Sequence, residues 1–186
     1  MKEEFKNSFG QNIFQQKYAT FQGQKWSEKV KELVTDVTHN HLGASEHEGL
    51  ERAMNDFKFM AGGRYIYYAG RKARFYNNCY LLRAEEDTRE EWGRVGMRAS
   101  DCLMSGGGIG IDYSRLRAEG QILSRTGGTS SGPIPLMHTI NELGRNVMQG
   151  GSRRSAMYAS LNWQHGDISN FLVEKDWDKP IGNGID

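Results

Sequence analysis

Apolar residues recur at helical spacing in the first third of the chain. Trp26, Val30, Leu33, Val34 and Val37 share one face of residues 25–37, and Leu50, Met54, Phe57 and Met60 share one face of a second segment that runs up to Gly62 and Gly63. Two amphipathic helices are therefore expected, together forming an amino-terminal helical segment over residues 1–61. The pattern then changes. Residues 65–69 and 79–82 are short aromatic or aliphatic runs bounded by glycine, asparagine and charge, which predicts buried strands.

Helical spacing returns with Trp92, Val95, Ala99, Cys102 and Leu103, and Asp87 is placed to cap that third helix. Ile109, Ile111 and Tyr113 alternate after a triple glycine and predict a strand. Leu136, Ile140, Leu143 and Val147 mark a helix opened by Pro133 and Pro135, and residues 155–161 read as a further strand. Strand and helix alternate from residue 65 onward, so residues 62–186 are expected to form an α/β domain. The last residues, KPIGNGID, begin another glycine-rich loop with no closing element, which suggests an incomplete domain.

Composition narrows the function classes. Over 186 residues, 24 basic and 23 acidic side chains are spread along the chain for a net charge of +1, so no polycationic arm suits duplex nucleic acid. No apolar run approaches the roughly 18 to 20 residues that span a bilayer, and MKEEFKNSFGQ lacks the apolar centre of a secretion signal. A cytoplasmic protein without membrane contact is expected, and its two cysteines, Cys79 and Cys102, are expected to be reduced thiols. Of the 23 glycines, many gather at 62–63, 106–110, 127–128 and 150–151, where backbone can approach a ligand closely.

Cys79, in FYNNCYLL, opens a strand directly after two asparagines, a position from which a thiol can face the mouth of a sheet; a small core residue is the plain alternative. Cys102 shares the apolar face of the third helix. The string SGGGIGIDYSRLRAEG is no dinucleotide fingerprint, because a helix precedes its glycines and a strand follows, and no Lys-Ser or Lys-Thr closes it as a Walker loop. SRTGGTSSGPIPLM sets hydroxyls and small residues ahead of a helix start, where free amides attract anions, and QGGSRRSAMYAS sets two arginines in a loop able to hold phosphate or a base edge. Three such loops within about fifty residues suggest a nucleotide-sized ligand. The histidines form no metal-ligand spacing: His39 and His41 are two apart, His47 lies in a polar turn, and His165 lies in NWQHGDISNF; solvated or capping roles are expected for them.

Taken in order, FYNNCYLL, MSGGGIGIDYSRLRAEG, TGGTSSGPIPLM, MQGGSRRSAMYAS and NWQHGDISNFL resemble successive segments of the ribonucleotide reductase catalytic subunit, from about residue 62 to 172. The resemblance implies the first part of a ten-stranded α/β barrel, preceded here by two helices. It also implies thiyl-radical reduction of the ribose 2′ carbon, with a pair of cysteines supplying the electrons. Cys79 matches the first of that pair. Asn78 and Gly108 match positions lining the substrate pocket, while Asp87, Arg117 and Ser124 fall at or beside those that bind a deoxynucleoside triphosphate specificity effector. Gln149 and Arg153 fall in the loop that carries the effector's message to the substrate base.

The family's radical cysteine, the second redox cysteine and the later phosphate loop have no counterpart among these residues. A carboxy-terminal half of the reductase and a thioredoxin-like reductant are therefore implied partners, beside the ribonucleotide and the effector. GGRYIYYAGR followed by YNNCYLL looks more like the cobalamin-dependent, often phage-encoded, reductases than like the di-iron class, so adenosylcobalamin is the implied cofactor, bound mainly outside this chain. No large insertion separates Tyr113 from Arg117, which favours a homodimer with effectors at a helical interface. The alternatives are a di-iron-dependent large-subunit fragment and a stand-alone nucleotide-binding module without chemistry.

Overall fold

A computed structural model describes residue 5 and residues 7–39, 41–146 and 155–175. The chain divides into two compact units, Met1–Tyr76 and Asn77–Asp186, whereas the hydrophobic pattern placed the division after residue 61.

The first unit is helical: α1 (Ser8–Ile13) running into a π-helical turn (Phe14–Tyr18), α2 (Trp26–Thr38), α3 (Ala44–Asn55) and α4 (Gly63–Tyr68). More than two helices thus precede the sheet. The predicted face of α2 buries Trp26, Val30, Leu33 and Val34 against Phe14, Met54, Ile66 and Ala69. Helix α3 ends before Phe57 and Met60, because Phe57 takes a left-handed turn (φ 55°) that stacks its ring on Trp26, centroids 5.7 Å apart. Residues 65–69, expected as a strand, belong mostly to α4. A buried lysine explains this: Lys29 Nζ donates to the Ala69 carbonyl at 2.6 Å and to Thr20 Oγ1 at 2.8 Å, satisfying the carboxy-terminal end of a short helix whose Ile66 and Ala69 are spaced to bury together. Desolvation, partly offset by Glu32, pushes the Lys29 ammonium below its ordinary value.

The second unit holds a parallel sheet in the order β1 (Cys79–Arg83), β2 (Gly108–Asp112), β3 (Met157–Ser160), joined through α5 (Arg89–Met104) and α6 (Ile134–Asn146), with α7 (Ile168–Val173) last. Two strand-helix-strand crossovers account for the parallel pairing. The register sets Cys79 beside Gly108, Leu81 beside Gly110 and Gly110 beside Tyr158. One face carries Ile109 and Ile111, which pack with Val95, Ala99 and Leu103 of α5 and Leu136 and Ile140 of α6. The other is uncovered among the described residues: Leu81 is 86% exposed and Tyr158 68%. Three strands of an expected ten are described. Thr88, not Asp87, caps α5, its hydroxyl accepting from the Glu91 amide at 3.1 Å. Val147 lies outside the described residues. No described helix is long and apolar enough to cross a membrane.

Candidate functional site

Chemistry-bearing residues collect at the two ends of the sheet. At the end where the strands begin, Cys79 is exposed and starts β1, and Asn78, also exposed, accepts the Gly108 amide on its carbonyl at 2.9 Å. A methyl built on Gly108 would sit 3.7 Å from Cys79 Sγ and 3.3 Å from the Ala156 carbonyl oxygen. Glycine here leaves the space above the sulfur open. One residue earlier the constraint differs, because the Tyr80 ring lies where a Gly107 side chain would begin, 2.3 Å away. The three sequence-predicted substrate positions, Asn78, Cys79 and Gly108, are thus neighbours on paired strand starts. Cys102 packs with the helix layer, on the opposite face of the sheet, and burial pushes its thiol up.

At the other end, about 13 Å along the strands at roughly 3.3 Å per residue, Arg117 takes hold of Asp87. Its Nε donates to Asp87 Oδ2 at 2.6 Å, its amide to Oδ1 at 3.2 Å and a terminal nitrogen to the Asp87 carbonyl at 3.4 Å. A further donor meets the Ile122 carbonyl at 3.1 Å, leaving guanidinium N–H groups for an anion. Thirty residues separate this pair in the chain. Ser124 is exposed in a small hairpin closed by the Ile122–Thr129 bridge. Gln149 and Arg153 lie outside the described residues.

Glu91 organises the turn that carries Asp87. Its buried carboxylate accepts the Glu85 amide at 3.0 Å, Arg94 at 3.2 Å and Arg98, while Arg115 donates to the Glu85 carbonyl at 2.6 Å. The Glu85 amide first, then the two arginines, hold the Glu91 carboxyl below its ordinary value against the opposing effect of burial. Glu91 escaped the hydrophobic pattern, although Thr88-Arg89-Glu90-Glu91 has the spacing of a helix-start box, the one signal in the sequence that favours Thr88 over the expected Asp87 as the cap. His165, expected in a solvated or capping role, is half-buried, with most of its side chain out of solvent. It lines, with Ser114, Arg117, Gln121, Asn162 and Gln164, an open polar cleft of about 330 Å³. Among the described residues no cluster of histidine, cysteine and carboxylate could hold a metal.

A sequence-family description, "Ribonucleotide reductase, barrel domain", matches residues 77–179, more than half of the chain and nearly all of the second unit. The chain belongs to the ribonucleotide reductase barrel-domain family. Among curated members, a vitamin B12-dependent ribonucleoside-diphosphate reductase of Thermoplasma acidophilum is 30% identical over 131 residues, 70% of this chain and 17% of the relative. The ribonucleoside-diphosphate reductase large chain of Schizosaccharomyces pombe is 26% identical over 173 residues, 89% and 21%. The large subunit of variola virus is 34% identical over 119 residues, 63% and 15%. The chain therefore spans about a sixth to a fifth of the length of these reductases. The family match begins at residue 77, where the second compact unit begins, and its relatives include both B12-dependent enzymes and others not so named.

Proposed function

We propose that this chain is the segment of a ribonucleotide reductase catalytic subunit that carries the first redox thiol, Cys79, and the specificity-effector pair, Asp87 and Arg117. The observation that supports it best is the placement of Cys79. An exposed thiol stands at a strand start on the uncovered sheet face, beside Gly108, where a missing side chain leaves room for a sugar ring against the sulfur.

In the reaction so read, a thiyl radical supplied by another part of the enzyme takes the ribose 3′ hydrogen. Cys79 gives a proton to the 2′ hydroxyl, which leaves as water. Two electrons come from Cys79 and a second thiol, which end as a disulfide, and the 3′ hydrogen is returned. The balance is one ribonucleotide and two thiols to one deoxyribonucleotide, water and a disulfide. Cys102 does not serve as the second thiol, because it packs in the helix layer rather than on the face that Cys79 occupies. That thiol and the radical cysteine come from the longer protein, and a thioredoxin-like reductant reopens the disulfide. Asp87, Arg117 and Ser124 take a deoxynucleoside triphosphate, whose message reaches the substrate base through Gln149 and Arg153. A homodimer would place two such effector sites at a helical subunit interface.

Adenosylcobalamin is the radical source that GGRYIYYAGR, YNNCYLL and the B12-dependent relatives favour. The described residues do not fit it: the open polar clefts of about 330 and 540 Å³ are lined by residues other than Cys79, and the uncovered sheet face offers no enclosing wall. Its binding is assigned mainly outside this chain, and none of the chemistry above passes through it. The test is Cys79→Ser in the complete enzyme with a dithiol reductant. Loss of multiple turnover is expected, and turnover at the normal rate would refute the assignment.

A further inference from the structure

We infer that His165 is a positioning residue that sets Arg117 for its ligand by holding the Leu116 carbonyl, an inference that rests on reading Arg117 as the effector arginine. Residues 114–119 follow β2 without forming a helix or a strand. Order reaches them from the segment after β3. The Asn162 amide donates to Ser114 Oγ at 2.8 Å, His165 Nε2 lies 2.6 Å from the Leu116 carbonyl, and the Glu119 amide donates to the Asp167 carboxylate at 3.0 and 3.2 Å. Positions 114, 116 and 119 are thus laced to 162, 165 and 167, and the middle contact adjoins Arg117.

A carbonyl oxygen can only accept, so His165 Nε2 carries the hydrogen. The other ring nitrogen, Nδ1, is then an acceptor and receives the Asp167 amide at 3.1 Å. Both nitrogens of the neutral ring are used, one on each segment. The side chain is 7% exposed, and neighbouring Gly166 lets the two segments touch: a methyl built there would meet Ala118 Cβ at 2.7 Å. Leu116 and Ala118 are therefore both held by residues 165–166, and Arg117 between them has its backbone placed before its side chain and amide engage Asp87. This matters for recognition, because a guanidinium aimed in advance loses less freedom on meeting an anion than one that must be ordered by it.

The test compares His165→Ala with His165→Gln, whose carboxamide N–H can restore the donor to Leu116. Each is titrated with the four deoxynucleoside triphosphates in the complete reductase, and hydrogen exchange is read at the Arg117 and Glu119 amides. The alanine variant is expected to bind effector about tenfold more weakly, the effect of roughly one lost hydrogen bond, and to exchange the Arg117 amide about tenfold faster. The glutamine variant is expected to recover most of both. Alkylation of Cys79, at the far end of the sheet, should keep its rate in both. Unchanged affinity and Arg117 protection in His165→Ala would overturn the inference, as would equal loss in both variants with protection falling across β1–β3. If the wild-type enzyme binds no deoxynucleoside triphosphate, the effector reading fails, and amide exchange at Arg117 alone decides whether His165 positions it.

Discussion

Gly108→Ala separates the fold from the chemistry at the candidate thiol site. The added methyl would meet the Ala156 carbonyl oxygen at 3.3 Å, Ala156 Cβ at 3.5 Å and Cys79 Sγ at 3.7 Å. Only the first is tight, and it calls for a shift of a few tenths of an ångström. Replacing glycine in a strand removes about 0.5 to 1 kcal/mol of backbone entropy cost. Overpacking by one methyl costs about 1 kcal/mol at the mild end of its range. The two nearly cancel, so stability should stay within about 1 kcal/mol, a shift in Tm of no more than roughly 4 to 8 °C. Access to the sulfur changes far more, since the methyl stands in ordinary van der Waals contact with it and occupies the space assigned to the ribose. Thermal unfolding of the variant, iodoacetamide alkylation of Cys79 and turnover of the complete enzyme measure the two effects separately. The expected result is a near-native Tm with slowed alkylation and a loss of turnover of about tenfold or more, equivalent to about 1.4 kcal/mol. Native rates of alkylation and turnover in a folded Gly108→Ala protein would refute the view that this glycine keeps the approach to Cys79 open.

Cys79 should be alkylated well before Cys102 in the native protein, because Cys79 is exposed while burial raises the Cys102 thiol; mass mapping after brief iodoacetamide treatment checks the order. Arg117→Ala should weaken deoxynucleoside triphosphate binding about tenfold or more and flatten the effector-dependent choice among bases, read by calorimetry and by competition among the four substrates. Burial raises the Tyr113 phenol above its ordinary value of 10.0, so the folded state keeps a proton that the unfolded chain releases. Its contribution is fully present below about pH 10 and is lost as pH rises beyond that; urea midpoints from pH 8 to 11 should fall less steeply in Tyr113→Phe than in the wild type. Glu91→Ala should cost about 3 kcal/mol or somewhat less, since it strips the Glu85 amide and two partly exposed arginines of a shared partner; urea unfolding measures it, and Glu91→Gln should recover part of the loss.

Much of the second unit was legible along the chain. The alternation of Ile109 and Ile111 and the helical spacing of Val95, Ala99 and Leu103 each describe one buried face, and burial of one face is a local, periodic property that a sequence displays directly. Order and content of the glycine-rich strings were enough to point to the ribonucleotide reductase family. Other assignments depended on partners that periodicity does not encode. Residues 65–69 are too short for their spacing to separate strand from helix, and the choice fell to a lysine forty positions away in the chain that caps the helix. Asp87 is a good helix cap by residue type, but Thr88 does that work because the Asp87 carboxylate is taken by Arg117.

The sequence by itself therefore determined the three described strands and the two crossover helices of the sheet unit, though not α7, together with the candidate thiol and the strings that carry the family resemblance. Only the tertiary structure decided that Cys79 and Gly108 share an open face while Cys102 lies behind it, that Asp87 and Arg117 meet across thirty residues, and that a histidine from a third segment holds the arginine's neighbour. The physical reason is that periodic burial is set residue by residue along one segment, whereas a hydrogen bond between distant segments exists only once the sheet register has brought their ends together.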